Sequence, residues 1–417
     1  MEVFFVSAMT ETISTDLLTP LGAYLRLRSA GRASFILESV ERGRLGRNSW
    51  IGAGSRIVSF EEADGLGLPV VGYLSYDHVA KLEPTVPLPE DGREYPESRL
   101  VVAETLVRFD HGAGIAEVLA GDLAEIAGRL DAGIPWRPEL RGVSGPLRRF
   151  PDQARYEEMV RTVKEHIVAG DVFQAVPSQR AEQPTSASPL DVYRALRRVN
   201  PSPYLFLLEL DGIALVGSSP ERLVACENGR ASLCPIAGTT DPTEGDVERL
   251  LSSEKDRAEH IMLVDLGRND LSRVCRAGTV HVARSMEVER FSHVSHLVSE
   301  VVGEIRNGVT PFDVLRACFP AGTVSGAPKV RAMQLISELE GFRRGPYGGA
   351  VLYSLPGGTM DACIALRTIV MADGVAYLQA GAGIVADSDP TAEHEECLRK
   401  LAALEAAIDL AEKEFAS

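Results

Sequence analysis

Cysteine is sparse and unpatterned in this chain. Its six residues (Cys226, Cys234, Cys275, Cys318, Cys363, Cys397) show no CxxC spacing. That excludes the common zinc modules and a disulfide framework, and it reads as reduced thiols in a cytosolic protein. Basic residues are outnumbered, 43 Lys and Arg against 59 Asp and Glu, and the formal charge of −16 repels nucleic acid and anionic membranes at long range. An anionic substrate is compatible only with a site that carries its own cations or metal. No apolar run approaches the roughly 18 residues of a membrane span. The opening MEVFFVSAMTETIST has an apolar run too short for a signal peptide. The expectation is a cytoplasmic protein with no membrane and no nucleic-acid partner. Repeats and low-complexity tracts are missing too. What is present, 45% hydrophobic and 24% charged residues over 417 positions, suits a globular chain with a sizeable core, as one large domain or two to three ordinary ones.

Residues 1–133 mix strand-like runs with short helical ones. GIPWRPELRGVSGPLRRFPD (133–152) then gathers prolines and glycines and is the best linker candidate. In ARYEEMVRTVKEHIVAGD, Met159, Val160, Val163 and Ile167 recur at helical spacing and Gly170 ends the helix. Two apolar strands around Asp211-Gly212 predict a hairpin, and TIVMADGVAYLQAGAG repeats the pattern around Asp373-Gly374, so the sheet is antiparallel. The last helix has Asp389 as N-cap and Pro390 in its first turn. Cys397, Leu401, Leu404, Ile408, Ala411 and Phe415 form its apolar stripe.

At the edge of that stripe Glu393, Glu396 and Lys400 share one face, just after the glycine turn Gly381-Ala382-Gly383. Acids in a first helical turn favour the dipole and need no function. A second pair, Asp256 and Glu259, stands at the mouth of another helix, ahead of the apolar IMLVDL. Two short carboxylate pairs from distant helices can supply oxygen ligands to a hard octahedral cation such as Mg2+. Phosphate readings fail: GTVSGAPK (322–329) lacks P-loop spacing, and a lone GAG is weak evidence for a dinucleotide. His293 and His296, three apart with no third ligand nearby, read as core or hydrogen-bonded histidines.

Taken together and in order, GDVFQAVPSQR, NPSPYLFLL, GSSPERL, PIAGT, EKDRAEHIMLVDLGRNDL, SHVSHLVS, FPAGTVSGAPK, GPYGGAV, ALRTIV and QAGAGIVADSDP resemble the chorismate-utilising enzymes of the anthranilate synthase component I type. The resemblance covers residues 151–412, and FILESVERGRLGRNSWIG is a weaker match to the allosteric segment of that family. It implies an α+β fold with two large antiparallel β-sheets packed face to face and helices outside. Residues 1–145 would be the N-terminal part with a tryptophan-regulatory segment, and 151–417 the chorismate-binding catalytic region.

The resemblance also implies roles. Glu259 and Glu396 match the Mg2+ ligands, with Asp256 and Glu393 as neighbours holding metal-bound water. The glycines at 381–383 let backbone N–H groups approach a substrate carboxylate. Tyr347 and Arg367 match residues that grip the enolpyruvyl carboxylate, and Lys400 balances Glu396 or reaches the substrate. Gly238, Thr239 and Thr323 match contacts around the ring, and Glu221 the general acid for the departing 4-hydroxyl. Gln174 stands where isochorismate and salicylate synthases place a lysine base, and Ala237 where one group of aminodeoxychorismate synthases places a nucleophilic lysine. Both point to ammonia as nucleophile. His296 matches a histidine of the pyruvate-eliminating step, so the implied reaction is chorismate plus ammonia to anthranilate and pyruvate, within tryptophan biosynthesis. The alternatives are an enzyme that stops at 2-amino-2-deoxyisochorismate, another chorismate-aminating enzyme, and an inactive regulatory relative.

Two departures stand out: Thr240 replaces an arginine in GTTDPTEG, and Pro177 interrupts a strand, which suggests an edge or bulge. Glu38, Ser39, Asn200, Pro201, Ser202 and Tyr204 match the family's tryptophan pocket. No cysteine stands in a nucleophile-elbow context, and the length leaves no room for an amidotransferase domain. Glutamine-derived ammonia is therefore expected from a separate component II subunit, in a heterotetramer.

Overall fold

Both Asp-Gly pairs make the hairpins expected of them. Asp211 and Gly212 (φ 36° and 88°) join Tyr204–Leu210 to Ile213–Ser219, and Asp373 and Gly374 (φ 50° and 74°) join Thr368–Ala372 to Val375–Gly381. Two consecutive left-handed residues match the right-handed twist of the flanking strands. The computed structural model describes residues 12–39, 47–134, 144–240, 246–290 and 295–414. The opening segment, His293, Phe415, residues 135–143 of the proline-rich stretch and residues 241–245 lie outside the described residues, as do the side chains of Thr239 and Thr240.

Every pairing between named strands is antiparallel. Among the described residues, eleven strands form one sheet, ten a second, and Gln174–Ala175 with Gly326–Ala327 a small third. Phe35, Leu106, Phe206 and Leu215 of the first sheet pack against Val71, Tyr73, Val101 and Val351 of the second. The inner faces of the large sheets therefore make one apolar core. Outside the first sheet, Leu401, Leu404 and Ile408 of the last helix join Leu190, Tyr193 and Leu196 of helix Pro189–Val199. Outside the second, Phe312 and Leu315 pack with Leu271, Leu223 and Val301. The α+β architecture of two face-to-face sheets with helices outside is the one expected.

Early and late parts of the chain share both sheets: Ala33–Glu38 pairs with Tyr204–Leu210, and Val70–Leu74 with Ala350–Leu355. The proline-rich stretch ends in a strand, Arg148–Phe150, which closes one edge of the first sheet against Ser178–Pro184. Pro177 falls between Gln174–Ala175 and Ser178–Pro184, at the seam between two sheets, where a missing ladder donor is harmless. The last helix spans Pro390–Glu414 with Asp389 capping Ala392 N–H (2.9 Å), and its stripe from Cys397 to Ala411 is fully buried. The apolar run after Glu259 is less buried than its composition suggests, since Ile261 is 47% exposed. No helix among the described residues is long and apolar enough to cross a membrane.

Candidate functional site

Three of the expected residues sit where the chain crosses between sheets. Glu221 lies between Ile213–Ser219 of the first sheet and Arg222–Glu227 of the second. Arg367 lies between Thr359–Ile364 of the second and Thr368–Ala372 of the first. Gln174 opens the small sheet that leads into the first. Glu221 and Arg367 thus fall outside the named strands, while Gln174 stays in a ladder, paired with Ala327.

Glu221 is buried, and Thr323 Oγ1, on the short helix Gly322–Ser325, donates to its Oε1 (3.1 Å). Burial pushes the Glu221 carboxyl up to about 8, against a smaller opposing pull from Thr323. A carboxylic acid is thus held protonated at neutral pH. The void bordering both residues is about 50 Å3, smaller than a ring-sized ligand requires. They form a proton-donating pair and not a complete pocket.

Gln174 is buried, and its Nε2 donates to Glu259 Oε1 (2.8 Å). Its Oε1 is also buried and has no hydrogen-bond partner among the described residues. The glycine turn closes over this pair: a Cβ at Gly383 would lie 2.6 Å from Gln174 Nε2. Any side chain there would displace the amide.

His296 Nδ1 donates to Gly238 O (3.1 Å). A carbonyl only accepts, so the neutral ring carries its lone pair on Nε2. Burial lowers the His296 pKa, Gly238 opposes this, and the Arg367 charge lowers it further. The ring is neutral at pH 7. Gly238 has φ 66° at a bulge against the His296 strand, and a Cβ there would press on Asp256 (3.3 Å), so glycine is required for both conformation and space. Arg367 itself has φ 45°, makes no ion pair among the described residues, and is pushed down in pKa by burial. A half-buried cation without a counter-charge is a natural anion receptor. Thr239 is paired in register with His296, and its side chain lies outside the described residues.

The other end of the glycine turn meets the last helix. The Tyr347 hydroxyl lies against Gly381, where a Cβ would come within 3.1 Å of it; Ala382 N–H donates to Pro177 O (3.3 Å), and Lys400 Nζ to Gly381 O (2.8 Å). Lys400 also pairs with Glu396 (2.7 Å). Glu259 and Glu396 therefore flank one turn, each engaged by a hydrogen-bond donor, Gln174 or Lys400. Asp256, Glu259, Glu393 and Glu396 do not form a preassembled group of three or more ligands among the described residues. The donor set fits Mg2+ in its usual mode, in which one or two protein carboxylates hold the ion and substrate and water complete the shell. The cluster that does assemble is Glu61, His78 and Glu97. Lys81 sits 2.7 Å from Glu97 and 3.6 Å from Glu61, so that group already holds a cation of its own.

Sequence reasoning missed the pair that braces the cleft. Arg344 and Glu340, 4% exposed or less in their side chains, lie 2.6 Å apart. Glu340 Oε1 accepts from Ser178 N–H and Oγ (both 2.7 Å), and Arg344 donates to Val324 O (2.7 Å) and Val176 O (2.6 Å). One ion pair thus ties the Pro177 seam to the Thr323 helix. The visible signal was the i,i+4 Glu–Arg spacing ahead of GPYGG, which is ordinary on a helix surface. Glu340→Gln leaves the guanidinium buried without its charge partner. The expected loss is about 3–5 kcal/mol of stability, read by urea denaturation. Lys329 of GAPK is likewise structural, paired with the buried Asp270 (2.7 Å).

The residues expected for an effector separate. Glu38, Ser39 and Tyr204 line a cavity of about 670 Å3 together with Trp50, Tyr353 and Asp361. Its lining reaches Pro203 of the NPSPY turn; Asn200, Pro201 and Ser202 stand outside it. Asn200 instead accepts from Ser218 Oγ through its carbonyl and ends helix Pro189–Val199. Ser39 Oγ is buried with no partner among the described residues. Glu38 is held by Tyr193 and by Arg197 (3.1 Å).

Known proteins resemble this chain along nearly its whole length. The family described as chorismate binding enzyme matches residues 26–406. Anthranilate synthase component 1 of Thermus thermophilus is 41% identical over 96% of this chain and 98% of that protein. The Aquifex aeolicus protein of the same name is 40% identical over 99% and 96%. The crystal structure of anthranilate synthase component I from Streptococcus pneumoniae superposes with a TM-score of 0.76 at 34% identity, covering 95% of this chain and 100% of that one. The menaquinone-specific isochorismate synthase of Escherichia coli shares the fold, with a TM-score of 0.77 at 22% identity over 96% and 94% of the two chains.

Proposed function

The chain belongs to the chorismate binding enzyme family, and on that premise we propose that it is component I of an anthranilate synthase, converting chorismate and ammonia to anthranilate and pyruvate. The observation that carries this branch of the family is Gln174. A neutral amide, bonded to Glu259 and left with a buried unpartnered acceptor, can receive an ammonia N–H but cannot deprotonate water. Ammonia is nucleophilic without a base. Ala237, buried on the strand paired with that of His296, supplies no competing amine.

The protein's own groups then divide the work. Arg367 and Tyr347 hold the enolpyruvyl carboxylate. Ammonia adds at C2, the ring double bond shifts, and the 4-hydroxyl leaves as water with the proton of Glu221, which burial keeps on the acid at neutral pH. In the second step His296, neutral and with its lone pair on Nε2, takes the C2 proton as the C3–O bond breaks; the ring becomes aromatic, and the enolpyruvate that leaves takes up a proton as pyruvate. Mg2+ held by Glu259 and Glu396, with Asp256 and Glu393 behind them, would neutralise the ring carboxylate of the substrate. Residues 1–145 and 151–417 act as the regulatory and catalytic portions of this one fold.

Glutamine is not a substrate of the chain by itself. Burial pushes all six thiols up, which leaves none as the thiolate nucleophile that an amidotransferase needs. Ammonia comes from a separate component II subunit. With the purified chain, chorismate and Mg2+, anthranilate fluorescence is expected to grow with ammonium and to stay at background with glutamine alone. Comparable turnover on glutamine would refute the two-subunit reading; no product with ammonium would refute the activity.

The 670 Å3 cavity is the tryptophan site in this reading, with the rings of Trp50 and Tyr353 on its wall, 4.6 Å apart and tilted by 36°. Tryptophan should bind the free chain and inhibit it. Ser39→Arg fills the cavity and should weaken binding by at least about tenfold, that is about 1.4 kcal/mol. Calorimetry showing no tryptophan binding to the unmodified chain would end this assignment.

A further inference from the structure

Tyr347 also lines a second cavity of about 340 Å3, whose lining does not include the glycine turn. Its floor is a tile of cross-strand neighbours. Arg180 is paired in register with Gln379, and Glu182 with Tyr377, on strands Ser178–Pro184 and Val375–Gly381. Residues two apart on a strand share a face, so all four side chains stand on the side away from the helix-packed Ala181 and Leu378. Tyr95 completes a corner with Tyr377, their rings 6.0 Å apart at 85°. Arg93 stacks on both, 5.5 and 5.0 Å from the ring centres, and donates to the Tyr377 hydroxyl (2.7 Å).

Four arginines line this cavity against one acid, Glu182. Three have carboxylate partners: Arg344 with Glu340, Arg93 with Asp373, and Arg343 with the exposed Glu94 at 3.8 Å. Arg180 makes no ion pair among the described residues. Its guanidinium lies 4.6 Å from the Phe342 ring centre, and its Nε is buried with no hydrogen-bond partner among the described residues. Among the described residues Arg180 is thus the arginine of this cavity left without a carboxylate partner, and it is there that an anion gains.

We propose that this cavity is a binding site for a small aromatic carboxylate. The carboxylate takes the fork of Arg180, for which a planar two-oxygen anion is the matching acceptor. The ring takes the corner of Tyr95 and Tyr377, which offers both a face and an edge. The volume lies at the lower end of the ~300–1,000 Å3 of ligand pockets and suits a single ring. On the reading above, the reaction makes such an acid next door, with Tyr347 as the shared wall; the binding claim itself does not depend on turnover.

Titration calorimetry on the purified chain tests it, with benzoate, anthranilate, aniline and pyruvate as probes. Benzoate and anthranilate should bind one per chain, while aniline, which lacks the carboxylate, and pyruvate, which lacks the ring, bind at least tenfold more weakly. If anthranilate binds and benzoate does not, the site is a product site selective for the amine. Arg180→Met should lower benzoate affinity at least tenfold, Arg180→Lys less, and Arg367→Met should leave it unchanged. Circular dichroism and Tm of each variant separate misfolding from loss of the site, and Gln379→Glu, which places a second negative charge beside Arg180, should repeat the loss independently. Retention in Arg180→Met with loss in Arg367→Met would put the acid in the catalytic cleft and overturn the proposal. So would an absence of binding by either aromatic acid at millimolar concentration.

Discussion

Glu221→Gln is expected to lower kcat for anthranilate formation by about 10²–10⁴-fold, the range that a positioned general acid contributes. The amide keeps the shape and the Thr323 contact but has no proton to give the departing hydroxyl. The pH dependence distinguishes this from a structural defect. The unmodified carboxyl is raised to about 8, so it is loaded below that pH and empties above it. Its rate should be level through neutrality and fall tenfold per unit above pH 8, and the residual rate of the variant should lack that limb. Stability runs the other way in the variant. A carboxyl with a folded pKa above its unfolded value of about 4.3 stabilises the fold fully below that unfolded value. That contribution is lost as pH rises through about 8. Glutamine never ionises, so above pH 8 the variant should melt at a higher temperature than the parent while being far less active. Unchanged activity at pH 7 would remove Glu221 from the mechanism.

Glu396→Gln should abolish turnover through the metal. Losing an outer-shell partner already lowers metal affinity by about 10–100-fold, and a charged oxygen ligand is worth at least as much. Calorimetric Mg2+ affinity in the presence of chorismate should fall by that factor or more, and Glu259→Gln should do the same. The two variants differ in a second readout. Glu396→Gln removes the charge that pairs with Lys400 at 2.7 Å but leaves Lys400 on Gly381 O, whereas Glu259→Gln replaces the charged acceptor that orients Gln174 by a weaker, neutral amide. The Glu259 variant should therefore also raise the KM for ammonium at saturating Mg2+. Undiminished Mg2+ affinity in both would place the ion elsewhere.

What could be read from the residues alone was whatever depends on local chemistry and order. Asp-Gly pairs require left-handed turns, so the Asp211 and Asp373 hairpins were legible. A cap and a stripe define a helix, so Pro390–Glu414 was legible to its first residue. The order of motifs carried the family and, through it, the α+β fold of two stacked sheets. The neutral amide at Gln174 was visible as a residue type. Its consequence was not, because the hydrogen bond to Glu259, 85 positions away, exists only once helix and sheet are packed.

Tertiary structure alone decided everything that rests on burial and on contacts between distant segments. Glu221 reads as a strand-end charge until the crossing between sheets buries it and holds its proton. Arg344 and Glu340 look like a surface pair until the Pro177 seam and the Thr323 helix close over them. Asn200, Pro201 and Ser202 share a motif with Tyr204, yet the end of a helix turns their segment away and leaves Tyr204 to line the cavity. Arg180 carries no signal in QAVPSQR; it becomes a receptor only because Phe342, Tyr377 and Gln379 arrive around it from other parts of the chain. Charge, cap and turn preferences act over a few residues and survive in the sequence. Desolvation is a property of the assembled neighbourhood, and no single stretch of the chain records it.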